Sequence, residues 1–158
     1  DAVSDMEGVA VFNLYELSQE IAFNIDEWSK IISDASAVIY QFPFYWMSAP
    51  SLLKKWQDEV FTFLSKTPAV AGKPLTVVTT TGSEYEAYRS GGRNRFTTDE
   101  LLRPYQVSAI HSGMSWQTPI VVYGMGTADA GKNIAEGANL YKQRVEMLIG
   151  SSNAGNNW

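Results

Sequence analysis

The chain has 158 residues, 45% apolar and 18% charged, and a net charge of −5 from 12 Lys+Arg and 17 Asp+Glu. That balance fits one globular domain rather than a disordered segment, and its acidity argues against a basic duplex-binding face. With no cysteine and a single histidine, His111, disulfides, Cys-ligated zinc, thiol catalysis and a multi-His metal cluster are excluded.

In chain order, Val9-Ala10-Val11-Phe12-Asn13-Leu14 is rich in β-branched and aromatic residues and predicts a strand. Asp26–Ser33 predicts a helix, with Asp26 as N-cap and Trp28, Ile31 and Ile32 on one side. Ala37–Phe42 is apolar nearly throughout, the pattern of a strand buried on both faces of a parallel sheet. Pro43-Phe44-Tyr45-Trp46-Met47 follows as an aromatic loop. Ser48 is placed to cap the next helix and Pro50 to occupy its first turn. Leu52, Leu53, Trp56, Val60 and Phe61 carry that helix to Leu64.

Leu75–Thr80 is a second strand of the buried type. Gly82 follows, then a polar stretch to Phe96 containing Gly91-Gly92. Thr97 with Glu100 is a capping-box pattern. The helix it opens carries Leu101, Leu102, Val107, Ala109 and Ile110 despite Pro104, and Gly113 ends it. Pro119–Tyr123 is the third buried strand, and a last helix runs from Asp129 to Ile149. Residues 1–149 read as the domain, and the Gly/Ser/Asn-rich residues 150–158 as a disordered tail. Strands alternating with helices predict an α/β fold with a parallel sheet. Its ligands sit beyond the carboxyl ends of the strands, where both unusual loops, Pro43–Met47 and Thr80–Tyr88, lie. The 5 Trp, 8 Tyr and 7 Phe suit a site built from flat rings.

Gln41 to Trp56, reading QFPFYWMSAPSLLKKW, resembles the signature of the flavodoxin-like NAD(P)H:quinone oxidoreductases, and the similarity continues through Asp58-Glu59-Val60-Phe61. Thr80-Thr81-Gly82 with Tyr88 is similar to that family's second flavin loop. Phe96 to Pro104, reading FTTDELLRP, resembles the branch of small bacterial enzymes that includes the ancillary proteins of glutathione-gated potassium efflux systems, and Ile110-His111-Ser112-Gly113-Met114 fits as well. The resemblance runs from Gly8 to Ile149. It implies a doubly wound parallel sheet in the order 2-1-3-4-5. It implies FMN or FAD as cofactor, NAD(P)H as co-substrate and a quinone or similar small acceptor. Hydride would pass by way of flavin N5 in ping-pong fashion. It also implies a homodimer with sites at the interface, to which the helix Pro50–Leu64, with Lys54 and Lys55 on one side, contributes. No nucleic acid, metal or membrane span is expected. The expected location is cytoplasmic, peripheral to the inner membrane face where an efflux transporter is the partner.

Two rival readings stand beside this one. The chain could be a regulatory ancillary subunit docked on the cytoplasmic face of a potassium efflux transporter. It could be an electron-carrier flavodoxin, which its pI of 4.8 suits, although Pro43–Trp46 does not resemble flavodoxin loops. The family opens with a strand, a phosphate-binding loop and a helix, and this sequence opens after them. A first βα unit of roughly 25–30 residues is therefore expected before Asp1. The aromatic/Gly loop between Phe63 and Gly72 is shorter than in the family. Where a distant branch places a catalytic His, this sequence offers Arg93 or Asn94.

The resemblance assigns flavin contact to Pro43, Phe44, Tyr45, Trp46, Met47, Thr80, Thr81, Gly82 and Tyr88, and makes Trp46 and Tyr88 the candidate catalytic residues. Backbone N–H groups of the two loops would face N1, O2, N5 and O4 of the ring, and Gly82 lets a ring approach the backbone. Tyr45 and Trp46 are expected to touch flavin and substrate, and Phe44 to point into the core. Tyr88 either stacks over the flavin and meets the substrate, or is a surface loop tyrosine. Arg89, Arg93 and Arg95 either contact the phosphates of NADPH or flavin, or form a solvated loop. His111 is expected to be partly buried.

Overall fold

The computed structural model of the chain describes residues 2–17 and 22–154. At its centre β2 (Pro74–Thr80) runs parallel to β1 (Val38–Pro43), with Val38 opposite Leu75 and Pro43 opposite Thr80. Two short strands lie in succession along the other side of β2. β3 (Ser115–Trp116) pairs with its start and β4 (Ile120–Val122) with its end. The third strand expected from Pro119 is thus in two pieces. Residues 117–119 still follow β2: Gln117 N–H donates to the Leu75 carbonyl and the Thr76 hydroxyl to the Thr118 carbonyl. Pro119 has no N–H with which to continue the ladder.

Helices cover both faces. On one side lie α2 (Ile25–Asp34) and the continuous run of α3 (Ser51–Trp56), a π-helical turn (Gln57–Phe61) and α4 (Thr62–Leu64). α5 (Thr98–Leu101) leads into α6 (Arg103–His111) on that side as well. Trp28, Tyr40, Phe42, Trp56, Phe61, Leu75, Val77 and Tyr105 share the core beneath them. On the other side α7 (Ala130–Ala154) packs Tyr141 and Val145 against Val78, Ile120 and Val122. β2 therefore feeds both cores, and every residue from Leu75 to Thr79 is buried, which is why its sequence does not alternate. The Thr79 hydroxyl, buried with it, donates to the Phe42 carbonyl at 2.7 Å and ties β2 to β1. This is the doubly wound parallel arrangement expected. The described strands form three adjacent rows of its order.

Several local expectations change. Val9–Leu14 forms no strand. Residues 9–13 are irregular, and Leu14 opens the one-turn helix α1 (Leu14–Leu17). A strand needs a ladder partner; here Val9 packs into the α7-side core, Leu14 joins the opposite core, and Phe12 lies 5.4 Å from Trp28. The N-cap of α2 is Asn24 rather than Asp26, because the Asn24 side chain accepts the N–H groups of both Asp26 and Glu27. Ser48 does not cap α3, which begins at Ser51 with no side-chain cap; its hydroxyl turns instead to Tyr105. The capping box forms as expected, with Thr97 accepting from Glu100 N–H and the Glu100 carboxylate accepting from Thr97 N–H. Its helix then breaks at Leu102, and Pro104 sits in the first turn of α6. Gly113, at φ +74°, ends α6. His111 is exposed on the last turn of α6, because Tyr105 and Ala109 take the buried face. α7 continues past Ile149 to Ala154, and residues 155–158 of the expected tail lie outside the described residues.

Candidate functional site

Because β1 and β2 are parallel, their carboxyl ends share one rim and the two loops leave it side by side. Phe44 N–H donates to the Thr80 carbonyl at 2.9 Å, one step beyond Pro43. Its ring is half-buried, lies 6.2 Å from that of Tyr88 and packs on the core, as expected. The chain then reverses within two residues. Tyr45 N–H donates to the Ser48 carbonyl and Ser48 N–H to the Tyr45 carbonyl, at 2.9 and 3.0 Å. Trp46 and Met47 between them have φ of +48° and +62°. Positive φ at both central residues is the requirement of a type I′ hairpin turn, which ordinarily selects Asn-Gly. For Trp and Met it costs about 1–2 kcal/mol per residue, so the flanking contacts hold the turn. Trp46 is thereby left 98% exposed, with Tyr45 and Met47 exposed beside it.

The second loop is made of backbone pairing. Thr81 N–H donates to the Val122 carbonyl, and Met125 and Gly126 donate to the carbonyls of Thr81 and Gly82, each at 2.9 Å. Thr81 is buried and its hydroxyl donates to the Ser83 carbonyl. Its polar atoms are thus engaged within the loop, which it shapes. Gly82 faces outward: a Cβ placed there would meet nothing within 4 Å. A single 3-10 turn (Tyr85–Tyr88) follows. Tyr88 is only 6% exposed and lies between Phe44 and Tyr123. It is a buried support joining the two loops rather than a surface tyrosine.

The three arginines separate. Arg93 donates to the Ser83 hydroxyl and so reaches the rim, whereas Arg89 lies over the Tyr85 ring, 5.4 Å from its centroid. Arg95 adopts φ +61° in the same loop. The loop folds back through Asn94 N–H to the Ala87 carbonyl, and it needs Gly92, where a Cβ would come within 2.2 Å of the Glu86 carbonyl oxygen. Beyond Tyr85 and Tyr88, a groove of about 550 Å³ runs between β4 and α7, lined in part by Arg89, Thr98, Tyr123, Leu140, Arg144 and Met147. Burial pushes the Tyr123 hydroxyl up, and its 2.7 Å hydrogen bond with Thr98 opposes the shift. Sequence reasoning missed Tyr123, which adjoins the Tyr88 ring. It also missed Tyr105, whose hydroxyl accepts the Ala49 N–H at 3.1 Å and lies 3.3 Å from the Ser48 hydroxyl. Nothing local marks either residue; helical spacing shows only that Tyr105 shares a face with Ala109.

The rim offers hydrogen-bond donors and apolar surface together. The N–H groups of Trp46, Met47, Gly82 and Ser83 have no hydrogen-bond partner among the described residues. They stand beside exposed aromatic rings and an open glycine. This set fits a flat heteroaromatic ring that gains negative charge on reduction, as a flavin does. Among the described residues no group of three or more His, Asp or Glu could hold a metal ion.

The family model described as flavodoxin-like fold matches residues 2–145. The glutathione-regulated potassium-efflux system ancillary protein KefG of Serratia proteamaculans (strain 568) is 36% identical over 122 residues, 75% of this chain and 67% of the relative. General stress protein 14 of Treponema denticola, solved in complex with FMN, superposes with a TM-score of 0.84 at 27% identity, over 94% of this chain and 87% of that one. An NADPH-quinone reductase from P. pentosaceus superposes with a TM-score of 0.72 at 26% identity, over 88% and 83%.

Proposed function

The chain belongs to the flavodoxin-like family, and from that premise we propose that it is an FMN-dependent NAD(P)H:quinone oxidoreductase. The observation that carries the proposal is the juxtaposition, at one rim of a parallel sheet, of the solvent-facing hairpin at Tyr45–Ser48 and the open Gly82 loop. The FMN-bound relative shares this fold over most of both chains. The N–H groups of Gly82 and Ser83 would hold the ring edge, with those of Trp46 and Met47 facing it from the other loop. Pro43, Phe44, Thr80 and Thr81 fix the two loops relative to each other. Tyr45 and Trp46 shape the space over the ring, and Trp46 is the residue that touches substrate. Tyr88 holds Phe44 from behind and acts through it, as a positioning residue. The bound flavin supplies hydride acceptance and donation. Nicotinamide and quinone, sharing one space, bind in turn.

The test is steady-state reduction of menadione by NADH and NADPH with the FMN-loaded protein. Parallel double-reciprocal lines are expected. No NAD(P)H oxidation with any quinone would overturn the reading.

The similarity to KefG supports a second role, as an ancillary subunit at the cytoplasmic face of a potassium efflux transporter. No helix among the described residues is long and apolar enough to cross a membrane. Co-purification with such a transporter, and activation of efflux that survives Trp46→Ala, would favour it. The same family reading takes the protein as a cytoplasmic homodimer with the α3 side at the contact, which sedimentation of the flavin-loaded protein tests.

A further inference from the structure

We propose that Tyr105 is a positioning residue for the hairpin at the rim, clamping its carboxyl-side arm from α6. The inference rests on the reading of that rim as the flavin site. The hairpin carries an unfavourable backbone, with consecutive left-handed residues at Trp46 and Met47. Neither is buried, so packing of their own side chains does not hold it. Its two arms are held differently. The entering arm is fixed by the sheet, through Phe44 N–H to the Thr80 carbonyl. Among the described residues the leaving arm has no strand of the sheet beside it. Ser48 is paired with Tyr45 across the turn, and beyond that pair the arm's hydrogen-bonded anchor outside the hairpin is the Tyr105 hydroxyl, which accepts from Ala49 N–H at 3.1 Å and lies 3.3 Å from the Ser48 hydroxyl.

Tyr105 suits a clamp. Its ring is 94% removed from solvent (6% exposed) and lies against Phe42 at 5.3 Å and Tyr40 at 6.5 Å. Phe42 belongs to β1, the strand that launches the loop. A rigid ring wedged on β1 thus presents one hydroxyl to the point where the loop returns. The link spans 56 residues, so it couples α6 to a loop far from it in sequence. The hydroxyl meets the two residues that follow the turn, and through them it orders the N–H groups of Trp46 and Met47.

Tyr105→Phe keeps the ring and deletes the clamp. Losing the clamp's hydrogen bonds from the ordered loop should raise the FMN dissociation constant roughly tenfold, which corresponds to about 1.4 kcal/mol. FMN fluorescence titrations of wild type, Tyr105→Phe, Ser48→Ala and Tyr141→Phe make the test. Tyr141 is buried in the opposite core and serves as the control. Tyr105→Phe should weaken FMN binding about tenfold and raise the acceptor KM more than it lowers kcat; Ser48→Ala should act in the same direction by less, and Tyr141→Phe should leave FMN affinity unchanged. A readout without flavin accompanies these: chymotryptic cleavage after Trp46, located by mass, should speed up in Tyr105→Phe and not in Tyr141→Phe. If Tyr105→Phe fails to fold, Ser48→Ala at its exposed position decides through the same two measurements. FMN affinity and Trp46 cleavage within twofold of wild type in these variants would overturn the clamp. Failure of the wild-type protein to bind FMN would instead overturn the flavin reading beneath it.

Discussion

The loops after β1 and β2 leave the same rim and are built in opposite ways. The β2 loop spends its carbonyls on the loop after β4, buries Thr81, and exposes backbone at Gly82. The β1 loop makes few internal bonds, exposes Tyr45, Trp46 and Met47, and carries its strain in plain contact with water. The first kind of loop fixes where donors stand, and side chains matter there mainly by being small or absent. The second presents side chains, and its backbone is held from outside. A site needing both fixed donors and an adaptable aromatic wall is served by one of each.

The largest effect should come from breaking the fixed side. Gly92→Ala drives a Cβ to 2.2 Å from the Glu86 carbonyl oxygen and 2.8 Å from that of Ala87. Backbone cannot yield as a side-chain tip can, so urea denaturation should show a loss of about 2–4 kcal/mol. Gly82→Ala is the contrast within the same loop. Its Cβ meets nothing within 4 Å, so stability should stay within about 1 kcal/mol of wild type, while FMN affinity drops because the ring can no longer approach the backbone.

The exposed side should separate stability from binding in the other direction. Trp46→Ala should leave unfolding unchanged within about 0.5 kcal/mol, as a substitution at a fully exposed position does, yet raise the FMN dissociation constant and the quinone KM. Replacing Trp46-Met47 by Asn-Gly fits the residues to the turn. It should raise apo stability by about 1 kcal/mol and weaken FMN binding, a gain and a loss from one change. Equal losses of stability and binding would mean that the hairpin is an ordinary structural turn.

The smallest effect lies away from the rim, at the capping box that starts α5. The Thr97 backbone N–H, and after it the Thr97 hydroxyl, hold the Glu100 carboxyl below its ordinary value of 4.5. A lowered native value means that the contribution is present above the unfolded value and is lost as pH falls through the native one. Acid titration of thermal stability should therefore be slightly shallower for Glu100→Gln below about pH 4.5, and indistinguishable in shape from wild type near neutrality.

Much of the frame was legible in the sequence. β2 is buried on both sides and β4 reaches both cores, and such strands leave continuous apolar runs; β1 has the same apolar run but, contrary to expectation, buries Tyr40 and Phe42 and exposes Gln41 and Pro43. The capping box is a local pattern and formed as written. Val9–Leu14 has the same apolar signature as a strand, but a strand is a relation between two segments, and among the described residues no ladder partner stands beside it. The hairpin was found as an aromatic loop, yet its type I′ backbone was invisible, because neither Trp nor Met signals positive φ. Tyr88 is named by the sequence but its burial is not legible there, and Tyr105 is not named at all, for a shared reason. Their roles depend on Phe44, Tyr123, Ser48 and Ala49, which only the fold brings near.

The claim at the centre of this account is that the two unlike loops form one flavin site, and FMN titration of wild type, Gly82→Ala and Trp46→Ala, followed by quenching of flavin fluorescence, tests it most directly. Saturable binding of one FMN per chain, weakened by each substitution while both variants unfold as the wild type does, is the expected result. Binding that never saturates, or that saturates equally in all three proteins, would contradict it.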